Sequence, residues 1–320
     1  MYKPPYEISD GMRDQCEHII RLIGQIEGYQ LLQTDFKLRR SNQVKSLHSS
    51  LLIEGNSLTL DQVTAVIDGK PVIGPINDII EVKNAIALYE KIADLDPYNE
   101  ENLLKAHHIL MEGLLPDAGK YRTSGVGVFD GHRAIHIGPP ANRVPSLMAQ
   151  LFDYLKNTPE SAIIKSCVFH YEFEFIHPFA DGNGRMGRFW QTAILSKKYP
   201  ILAYAAIETV IHQRQQAYYD ALRQSGQRGD SNLFIIYMLD AIEAALDFIL
   251  KSTTMIPSDP QSRLAAFREY IDTMAFQRKD YLLYHKNIAS ATASRDLRQG
   301  TTAGQLKRIG TGRTTTYQFQ

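Results

Sequence analysis

Four long segments of this chain repeat apolar residues every three or four positions, the spacing that lines one face of an α-helix. They are CEHIIRLIGQIEGYQLL, NDIIEVKNAIALYEKIADL, VPSLMAQLFDYLKN and LFIIYMLDAIEAALDFIL. One segment departs from this spacing: GVGVFDGHRAIHIGPP alternates Val and Ile around a turn, which predicts a β-hairpin from Val126 to Ile137. Pro139 and Pro140 end that pattern. The sequence therefore predicts a mainly α fold with one small hairpin.

The balance of charges gives no global indication of a nucleic-acid or membrane partner, because Lys plus Arg and Asp plus Glu both number 35. Two cysteines in 320 residues are too few for a disulfide framework or a cysteine-based zinc site. The polar N-terminus does not fit a signal peptide, and no apolar run approaches the roughly 20 residues that span a bilayer. These features predict a cytoplasmic protein with no membrane contact.

The composition changes after TTMIPSDPQSR, a segment with two prolines and few apolar residues that is typical of a linker. Residues 277–320 then carry eight Lys or Arg and only two Asp. We therefore expect a boundary near residue 256. Three regions are predicted: an N-terminal helical region over 1–100, a central core over 101–255 and a basic domain over 256–320.

The most informative segment is HPFADGNGRMGRFW, which begins at His177. Small and turn-prone residues in it allow the backbone to come close to a ligand. The apolar helix pattern resumes at Met186, so the small residues begin a helix, where amides and the helix dipole favour an anion. The residues predicted to form this cradle are Gly182, Asn183 and Gly184.

Charged side chains flank that cradle on both sides. Arg185 and Arg188 are three positions apart, and arginine forks suit phosphate oxygens. Asp181 is placed to hold Mg²⁺ bridging phosphates, and His177 could take a proton from an attacking hydroxyl. Together these residues predict a nucleotide-phosphate site with its own base. By contrast, the His107–His108 pair has no acidic partner at metal-ligand spacing and is expected to be structural.

The HPFADGNGR…R segment resembles the Fic family motif at each defining position, and the resemblance extends over roughly residues 40–250. It implies a Fic-fold helical core with a β-hairpin flap, which transfers AMP from ATP to a Ser, Thr or Tyr hydroxyl of a target protein. His177 would be the base, Asp181 the Mg²⁺ ligand and 182–184 the anion hole, while Arg185 and Arg188 would hold the β- and γ-phosphates. Doc-type relatives, which phosphorylate, carry lysine at the position of Gly184. Phosphocholine-transferring relatives are a less favoured alternative.

The resemblance implies functional roles for two further segments. GKYRTSGVGV matches the G-x-x-R-T segment before the family's flap, whose edge would pair with an extended target segment; the alternative is a β-arm that only covers the core. QAYYDALRQSGQRGD resembles the adenine-pocket segment, with Tyr218 and Tyr219 as wall residues or, alternatively, as part of a buried helix face. Gly226 and Gln227 stand where the family usually has an asparagine shortly before the closing GD.

An inhibitory motif precedes the core in SLLIEGNSLT. The sequence predicts a helix from about Asn42 to Glu54, ended by Gly55 and Asn56. Ser50 and Glu54, within Ser50–Gly55, fit the family's [S/T]-x-x-x-E-[G/N] motif, and their position resembles the subclass with an N-terminal inhibitory helix. Glu54 would pair with the second motif arginine, take the place of the γ-phosphate and misalign the α-phosphorus. In some relatives the same glutamate also removes AMP, and the sequence leaves this open.

The basic domain reads as helix, turn, helix and a two-stranded wing around GTGRTTTY, which resembles winged-helix DNA-binding modules. SATASRDL fits their recognition helix, with Arg295 and Arg298 exposed, whereas Gly300 stands where such modules usually have leucine. DNA is therefore a candidate partner; the alternative is protein contact or packing in a homodimer. The rival to an autoinhibited adenylyltransferase is accordingly a DNA-binding regulator that uses the Fic core as a nucleotide or ligand sensor.

Overall fold

The structure is a computed structural model that describes residues 2–28, 36–130, 133–254, 259–271, 275–285, 288–310, 312 and 315–320. Only the backbone is described at 36–37, 127–130, 133–137, 252–254 and 269. The boundary predicted near residue 256 and the tip of the predicted hairpin, residues 131–132, lie outside the described residues. Two compact units divide the chain, Met1–Ile249 and Leu250–Gln320.

Helices make up most of the described residues, so the prediction of a mainly α fold is confirmed. The helices are α1 (Asp10–Gly28), α2 (Phe36–Ile53), α3 (Leu60–Ile67), α4 (Ile76–Tyr89), α5 (Glu100–Met111), α6 (Val144–Asn157), α7 (Ala162–Ile176), α8 (Asn183–Lys198), α9 (Ile207–Gln213), α10 (Gln215–Arg228), α11 (Asn232–Thr254), α12 (Pro260–Ile271), α13 (Arg278–Tyr284) and α14 (Ser290–Thr302). The strands are β1 (Gly127–Asp130), β2 (Arg133–Ile137), β3 (Leu306–Ile309) and β4 (Thr316–Phe319). None of the described helices combines the length and apolarity needed to cross a membrane.

The centre of the first unit is the helix pair α7 and α8, which buries residues around most of its circumference. A helix that is apolar on nearly all sides is stable only when other elements surround it. Phe169 of α7 contacts Phe152 of α6 edge to face, with ring centroids 5.6 Å apart. Trp190 of α8 is fully buried and donates its indole hydrogen to the Pro97 carbonyl at 3.1 Å. The loop between α7 and α8 carries the HPFADGNGR segment, so a rigid pair of helices supports both of its ends.

The helix α2 is attached to this core through polar side chains as well as apolar ones. Asn42 donates to the Tyr204 carbonyl at 3.1 Å, Ser46 donates to Glu208, and Ser49 donates to Thr209 at 3.1 Å. The helix begins six residues before the predicted start and ends at Ile53, one residue before the predicted end. It ends there because Gly55 adopts a φ of 89°, a conformation that glycine tolerates and that stops a helix.

The predicted hairpin is present as β1 and β2, which pair antiparallel and start one residue after the predicted Val126. Its register shifts between Val128 and Phe129, as in a β-bulge, so the ladder is irregular at that point. Gly127 pairs with Ile137 at the base of the hairpin, where it joins the first unit. The hairpin therefore emerges from the first unit between α5 and α6.

The second unit contains α13, α14 and the antiparallel pair β3–β4, in the order predicted for the helix, turn, helix and wing, and one further helix, α12, precedes them. Its core is a single apolar cluster: Leu264, Phe267, Phe276, Tyr281, Ala293, Leu297 and Leu306. Arg263 forms a buried ion pair with Asp296, at 2.7 and 2.9 Å. Gly300 is buried, and an added Cβ would lie 2.6 Å from Leu264 Cδ1 and 3.0 Å from Leu306 Cδ1. The position is therefore too crowded for leucine, which explains the departure seen in the sequence.

Candidate active site

His177 ends α7 in a left-handed conformation, with φ 49° and ψ 62°. A non-glycine residue in this region costs on the order of 1–3 kcal/mol and persists only where its surroundings impose it. Its amide still donates to the Phe173 carbonyl at 2.9 Å, which closes the last turn of the helix. The conformation turns the chain sharply, and 18 % of the His177 side chain remains exposed.

Arg122, in the segment that precedes the hairpin, donates hydrogen bonds to the backbone of this turn. It is 5 % exposed, and burial lowers the pKa of its guanidinium. It donates at 2.6–3.2 Å to four backbone carbonyls, those of Ser124, Pro139, Ile176 and His177. Two of these carbonyls belong to the turn at His177, and the other two lie before β1 and after β2. One arginine therefore connects both ends of the hairpin to the predicted base.

The loop after His177 is braced by side chains on either side. Asn183 both accepts from the Phe179 amide and donates to the Phe179 carbonyl, each at 2.9 Å. The Phe179 ring stacks on His107 of α5, with centroids 3.6 Å apart and planes 5° apart. Nε2 of His107 hydrogen-bonds the Asp181 carbonyl at 2.9 Å, and Nδ1 accepts from the Gly119 amide at 2.8 Å. His107 is thus structural, as expected. It supports the loop between α7 and α8, which carries the motif.

The start of α8 lies where the cradle is predicted. Gly182 is the N-cap residue with φ 82°, and an added Cβ would lie 2.7 Å from Met111 Sδ, so only glycine fits there. The amides of the first helical turn have no carbonyl partner within the helix, and together with the dipole they attract an anion. The side chain of Asn183 is held by Phe179, so the contribution of Asn183 to a ligand is its backbone amide.

Both motif arginines are buried and paired with acidic side chains. Arg185 donates to Glu81 of α4 at 2.7 Å and lies 3.4 Å from Asp181. Arg188 donates to the Ser50 hydroxyl at 3.1 Å, to the Ser50 carbonyl at 2.9 Å and to Glu54 Oε1 at 2.8 Å. Glu81 is a member of the site that sequence inspection missed, because nothing in its local pattern marks it.

The Glu54 carboxylate occupies the position where the cradle and Arg188 meet. Burial alone would lower the pKa of Arg188, but the adjacent Glu54 carboxylate raises that pKa above its ordinary value. An added Cβ at Gly184 would overlap Oε1 of Glu54, so this carboxylate lies directly over the first helical turn. Glu54 is 31 % exposed and Arg188 is 1 % exposed. An anionic oxygen thus sits where the amides and the guanidinium converge.

Asp181 presents its carboxylate to solvent, with 65 % of the side chain exposed. Oδ1 accepts from the Gly182 amide at 2.6 Å and lies 3.4 Å from Arg185. Mg²⁺ is usually held by one or two carboxylates together with phosphate oxygens and water. An exposed carboxylate beside an anion cradle fits that mode of binding.

The two tyrosines of the predicted adenine segment have different environments. Tyr218 is 1 % exposed and hydrogen-bonds Nε2 of His170 at 3.1 Å. Tyr219 is 42 % exposed, and its hydroxyl lies 3.4 Å from the Ile53 carbonyl at the end of α2. Gly226 and Gln227 are exposed near the end of α10. Of the two tyrosines, only Tyr219 offers a ring face at the surface.

Comparison with known proteins indicates the family of the chain. Residues 97–195 match the model of the Fic/DOC family. A crystal structure of a Fic family protein from Desulfovibrio desulfuricans G20 superposes with a TM-score of 0.80 at 40 % identity, covering 100 % of this chain and 98 % of that one. The chain belongs to the Fic family.

More distant relatives share the Fic core. The protein adenylyltransferase Fic of Nematostella vectensis is 29 % identical over 225 residues, which cover 66 % of this chain and 49 % of that protein. The chain thus spans about half the length of the curated relatives it matches. Fic-1 (residues 134–508) of C. elegans has the same fold, with a TM-score of 0.62 at 19 % identity, covering 76 % of this chain and 73 % of that one.

Proposed function

We propose that this chain transfers AMP from ATP to a hydroxyl side chain of a target protein, and that Glu54 restrains this activity. The observation that carries the proposal is that Arg188 holds an anionic carboxylate, that of Glu54, beside Gly184 in the first turn of α8, and that His177 begins the loop leading into this turn. Relatives named protein adenylyltransferase Fic support the same chemistry. Glycine at position 184 favours AMP transfer over the phosphorylation expected with lysine.

Each group of the proposed site has its own role in AMP transfer. His177 takes the proton of the target hydroxyl as its oxygen attacks the α-phosphorus of ATP. The bond from the α-phosphorus to the bridging oxygen breaks, pyrophosphate leaves, and AMP remains on the target oxygen. The first-turn amides of α8 and Arg188 hold the phosphates and stabilise the charge that develops on them. Mg²⁺ held by Asp181 would neutralise part of the phosphate charge.

The restraint follows from competition for Arg188. A γ-phosphate and the Glu54 carboxylate are both anions that would pair with the same guanidinium. With Glu54 in place, ATP is held with its α-phosphorus out of line for attack, and a misplacement of about 1 Å can reduce a rate ~100-fold. The inhibited state is stabilised further because Ser50 also accepts from Arg188.

The target would dock on the hairpin β1–β2. An extended segment of the target can add a strand to an exposed sheet edge. The hydrogen bonds are made by the backbone, so they place few demands on the amino-acid sequence of the target segment. Since Arg122 links the carbonyls at both ends of the hairpin to that of His177, a segment bound along the hairpin has a set position relative to the base.

Labelled ATP tests the proposal directly. Glu54→Gly protein is incubated with a cell lysate and with ATP labelled either at the α-phosphate or at the γ-phosphate. The bands that appear only when the variant is added should carry the α-label and lack the γ-label, because kinases of the lysate transfer the γ-label without it. Adding His177→Ala should reduce labelling by ~10²–10⁴-fold, the typical contribution of a general base, while ATP binding persists. Equal labelling with and without His177, or transfer of the γ-label, contradicts the proposal.

A second candidate function belongs to the second unit by itself, and we infer that it binds duplex DNA as a winged helix. The observation that favours it is a groove of about 510 Å³ between α14 and the strands β3 and β4. Three arginines line this groove, Arg295, Arg298 and Arg308, together with hydroxyl side chains. Guanidinium groups on an exposed helix can contact both phosphates and guanine edges.

A gel shift with duplex DNA tests this second function. Arg298→Ala should weaken binding and make the affinity less steeply dependent on salt, because one phosphate contact is lost. Lys279→Ala removes an exposed basic residue that does not line the groove and serves as the control. Identical shifts for parent, Arg298→Ala and Lys279→Ala protein would contradict DNA binding through this groove.

A further inference from the structure

A second carboxylate lies behind the predicted base. Glu174 precedes His177 by one turn of α7, and its Oε2 is 4.0 Å from Nδ1 of His177. Its own backbone carbonyl accepts from the same Nδ1 at 3.3 Å. A carbonyl can only accept, so Nδ1 carries the hydrogen and Nε2 of the neutral ring is the atom that takes a proton. Glu174 thus faces the protonated side of the base through both its backbone and its side chain.

The surroundings of the Glu174 side chain do not explain it as a structural residue. Nδ1 of His170 is bonded to the amide oxygen of Gln191, so Nδ1 donates and Nε2 accepts from the Tyr218 hydroxyl. Burial lowers the pKa of His170 to about 3, which keeps this ring neutral. Oε1 of Glu174 lies 3.8 Å from Nε2 of His170. This nitrogen presents a lone pair, so it cannot donate a hydrogen bond to Oε1. Among the described residues, none donates a hydrogen bond to this buried Oε1.

The helix α8 leaves space for the carboxylate and supplies the charges that act on it. An added Cβ at Gly187 would lie 2.6 Å from Oε1 of Glu174, so glycine at this position makes room for that oxygen. Burial raises the pKa of Glu174 to about 8, Arg188 acts in the opposite direction, and the Glu54 carboxylate raises it further. The groups that face Glu174 are therefore His170, His177, Arg188, Tyr218 and Glu54.

We propose that Glu174 is a positioning residue for His177: its carboxylate stabilises the imidazolium that forms when the ring takes the hydroxyl proton. This inference rests on the proposed AMP transfer. An opposite charge within about 4–6 Å of an ionisable group favours its charged form. No hydrogen bond between the two side chains is required, because the Glu174 carbonyl already holds the ring in the productive tautomer.

The consequence is a pH dependence with a defined sign. Below pH about 8 the Glu174 carboxyl is protonated and contributes no charge to the site. As the pH rises through about 8, the carboxylate forms, the Nε2 lone pair becomes more basic, and transfer accelerates. Arg188 is cationic throughout this range, and His170 is neutral throughout it, so neither produces the same rise.

Glu172 offers a matched control on the same helix. It is two residues away, 5 % exposed, and burial raises its pKa to about 7. Its Oε2 accepts from the Tyr2 hydroxyl at 3.0 Å instead of facing the base. Replacing either glutamate by glutamine removes one buried carboxyl of similar pKa, but only Glu174→Gln removes the charge beside His177.

The pH–rate profile of AMP transfer is measured in the Glu54→Gly background, so that the restraint is absent in every sample. In this background the parent and Glu172→Gln should accelerate as Glu174 ionises, at a pH below about 8 because the Glu54 carboxylate no longer raises the pKa of Glu174. Glu174→Gln should lack this rise and be about tenfold slower above it, the effect of one pKa unit. Glu174→Asp keeps a carboxylate and should keep a rise. A rise in Glu174→Gln equal to that of the parent, or its loss in Glu172→Gln as well, overturns the proposal.

An NMR measurement that does not depend on AMP transfer tests the role of Glu174 separately from the proposed function. The ring signals of His177 are followed by NMR as a function of pH in histidine-labelled protein, and are assigned by their loss in His177→Ala. The His177 ring signals should show an inflection near pH 8, where the neighbouring Glu174 carboxyl ionises, in the parent and in Glu172→Gln but not in Glu174→Gln. The same inflection in Glu174→Gln overturns the role of Glu174 whether or not AMP transfer is detected. Loss of the inflection in Glu174→Gln alone, without any transfer in the parent, contradicts only the proposed function.

Discussion

The contacts of Arg188 predict a graded release of the restraint. Three acceptors hold this guanidinium, and all three come from the last turn of α2 and the residue after it: the Ser50 hydroxyl, the Ser50 carbonyl and the Glu54 carboxylate. Ser50→Ala removes the neutral side-chain acceptor, and Glu54→Gly removes the charged one. The two substitutions therefore weaken the same contact by different amounts, while the Ser50 carbonyl remains in both.

The magnitudes follow from the type of each hydrogen bond. Both contacts come from the cationic guanidinium, and a hydrogen bond to a charged group contributes about 1.5–3 kcal/mol. At roughly 1.4 kcal/mol per tenfold change, this range corresponds to ~10–150-fold for Glu54. The Ser50 hydroxyl carries no charge that competes with a γ-phosphate, and the Ser50 carbonyl still accepts from Arg188, so a smaller effect follows for Ser50→Ala. Because Glu54 is 31 % exposed, solvent screening favours the lower part of its range. We expect transfer to rise about tenfold or somewhat more in Glu54→Gly and a few-fold in Ser50→Ala.

The assay is the initial rate of labelled AMP incorporation at saturating Mg²⁺, with the melting temperature of each variant as a control for folding. Glu54→Gly combined with Arg188→Ala should lose the gain, because the released guanidinium is absent. The reasoning is refuted if Ser50→Ala releases more activity than Glu54→Gly, or if the double variant remains as active as Glu54→Gly.

Three other substitutions have definite expected outcomes. Asp181→Ala should abolish Mg²⁺-dependent transfer, and a Mg²⁺ titration that matches the parent would show that Asp181 is not the ligand. Arg122→Met leaves four buried or partly buried carbonyls without their donor; it should cost about 3 kcal/mol and lower both the melting temperature and transfer, whereas unchanged melting would contradict the role of Arg122. Gly300→Leu should destabilise the second unit by about 1–3 kcal/mol through overpacking against Leu264 and Leu306, and denaturant unfolding that matches the parent would contradict this.

The features that sequence alone determined are those set by neighbours within a few positions. The spacing of apolar residues predicted the helical character, Val–Ile alternation around a turn predicted the hairpin, and Gly55 marked the end of α2 to within one residue. The cradle was predicted for the same reason: Gly182 can adopt a positive φ and begin a helix without help from distant residues. The motif also indicated the family.

The partners of these residues were decided by tertiary structure. The contact between Arg188 and Glu54 joins residues 134 positions apart, and that between Arg185 and Glu81 joins residues 104 positions apart. The family resemblance supplied the first pair, while nothing in the sequence indicated the second. Gly300 likewise appeared only as a departure until Leu264 and Leu306 were found beside it.

The buried polar groups around the motif illustrate the difference most clearly. His107 offered no local pattern beyond a histidine on a helix, yet it stacks on Phe179 and bonds the Asp181 carbonyl. Glu174 lies in a run of apolar residues where a glutamate has no local explanation. The role of Glu174 depends on which side of α7 packs against α8. Packing decides which side chains face each other, and burial then shifts their pKa values. Neighbouring residues along the chain govern local conformation. The protonation state of a side chain and its hydrogen-bond or ion-pair partners depend on residues that are distant in sequence and that folding places beside it.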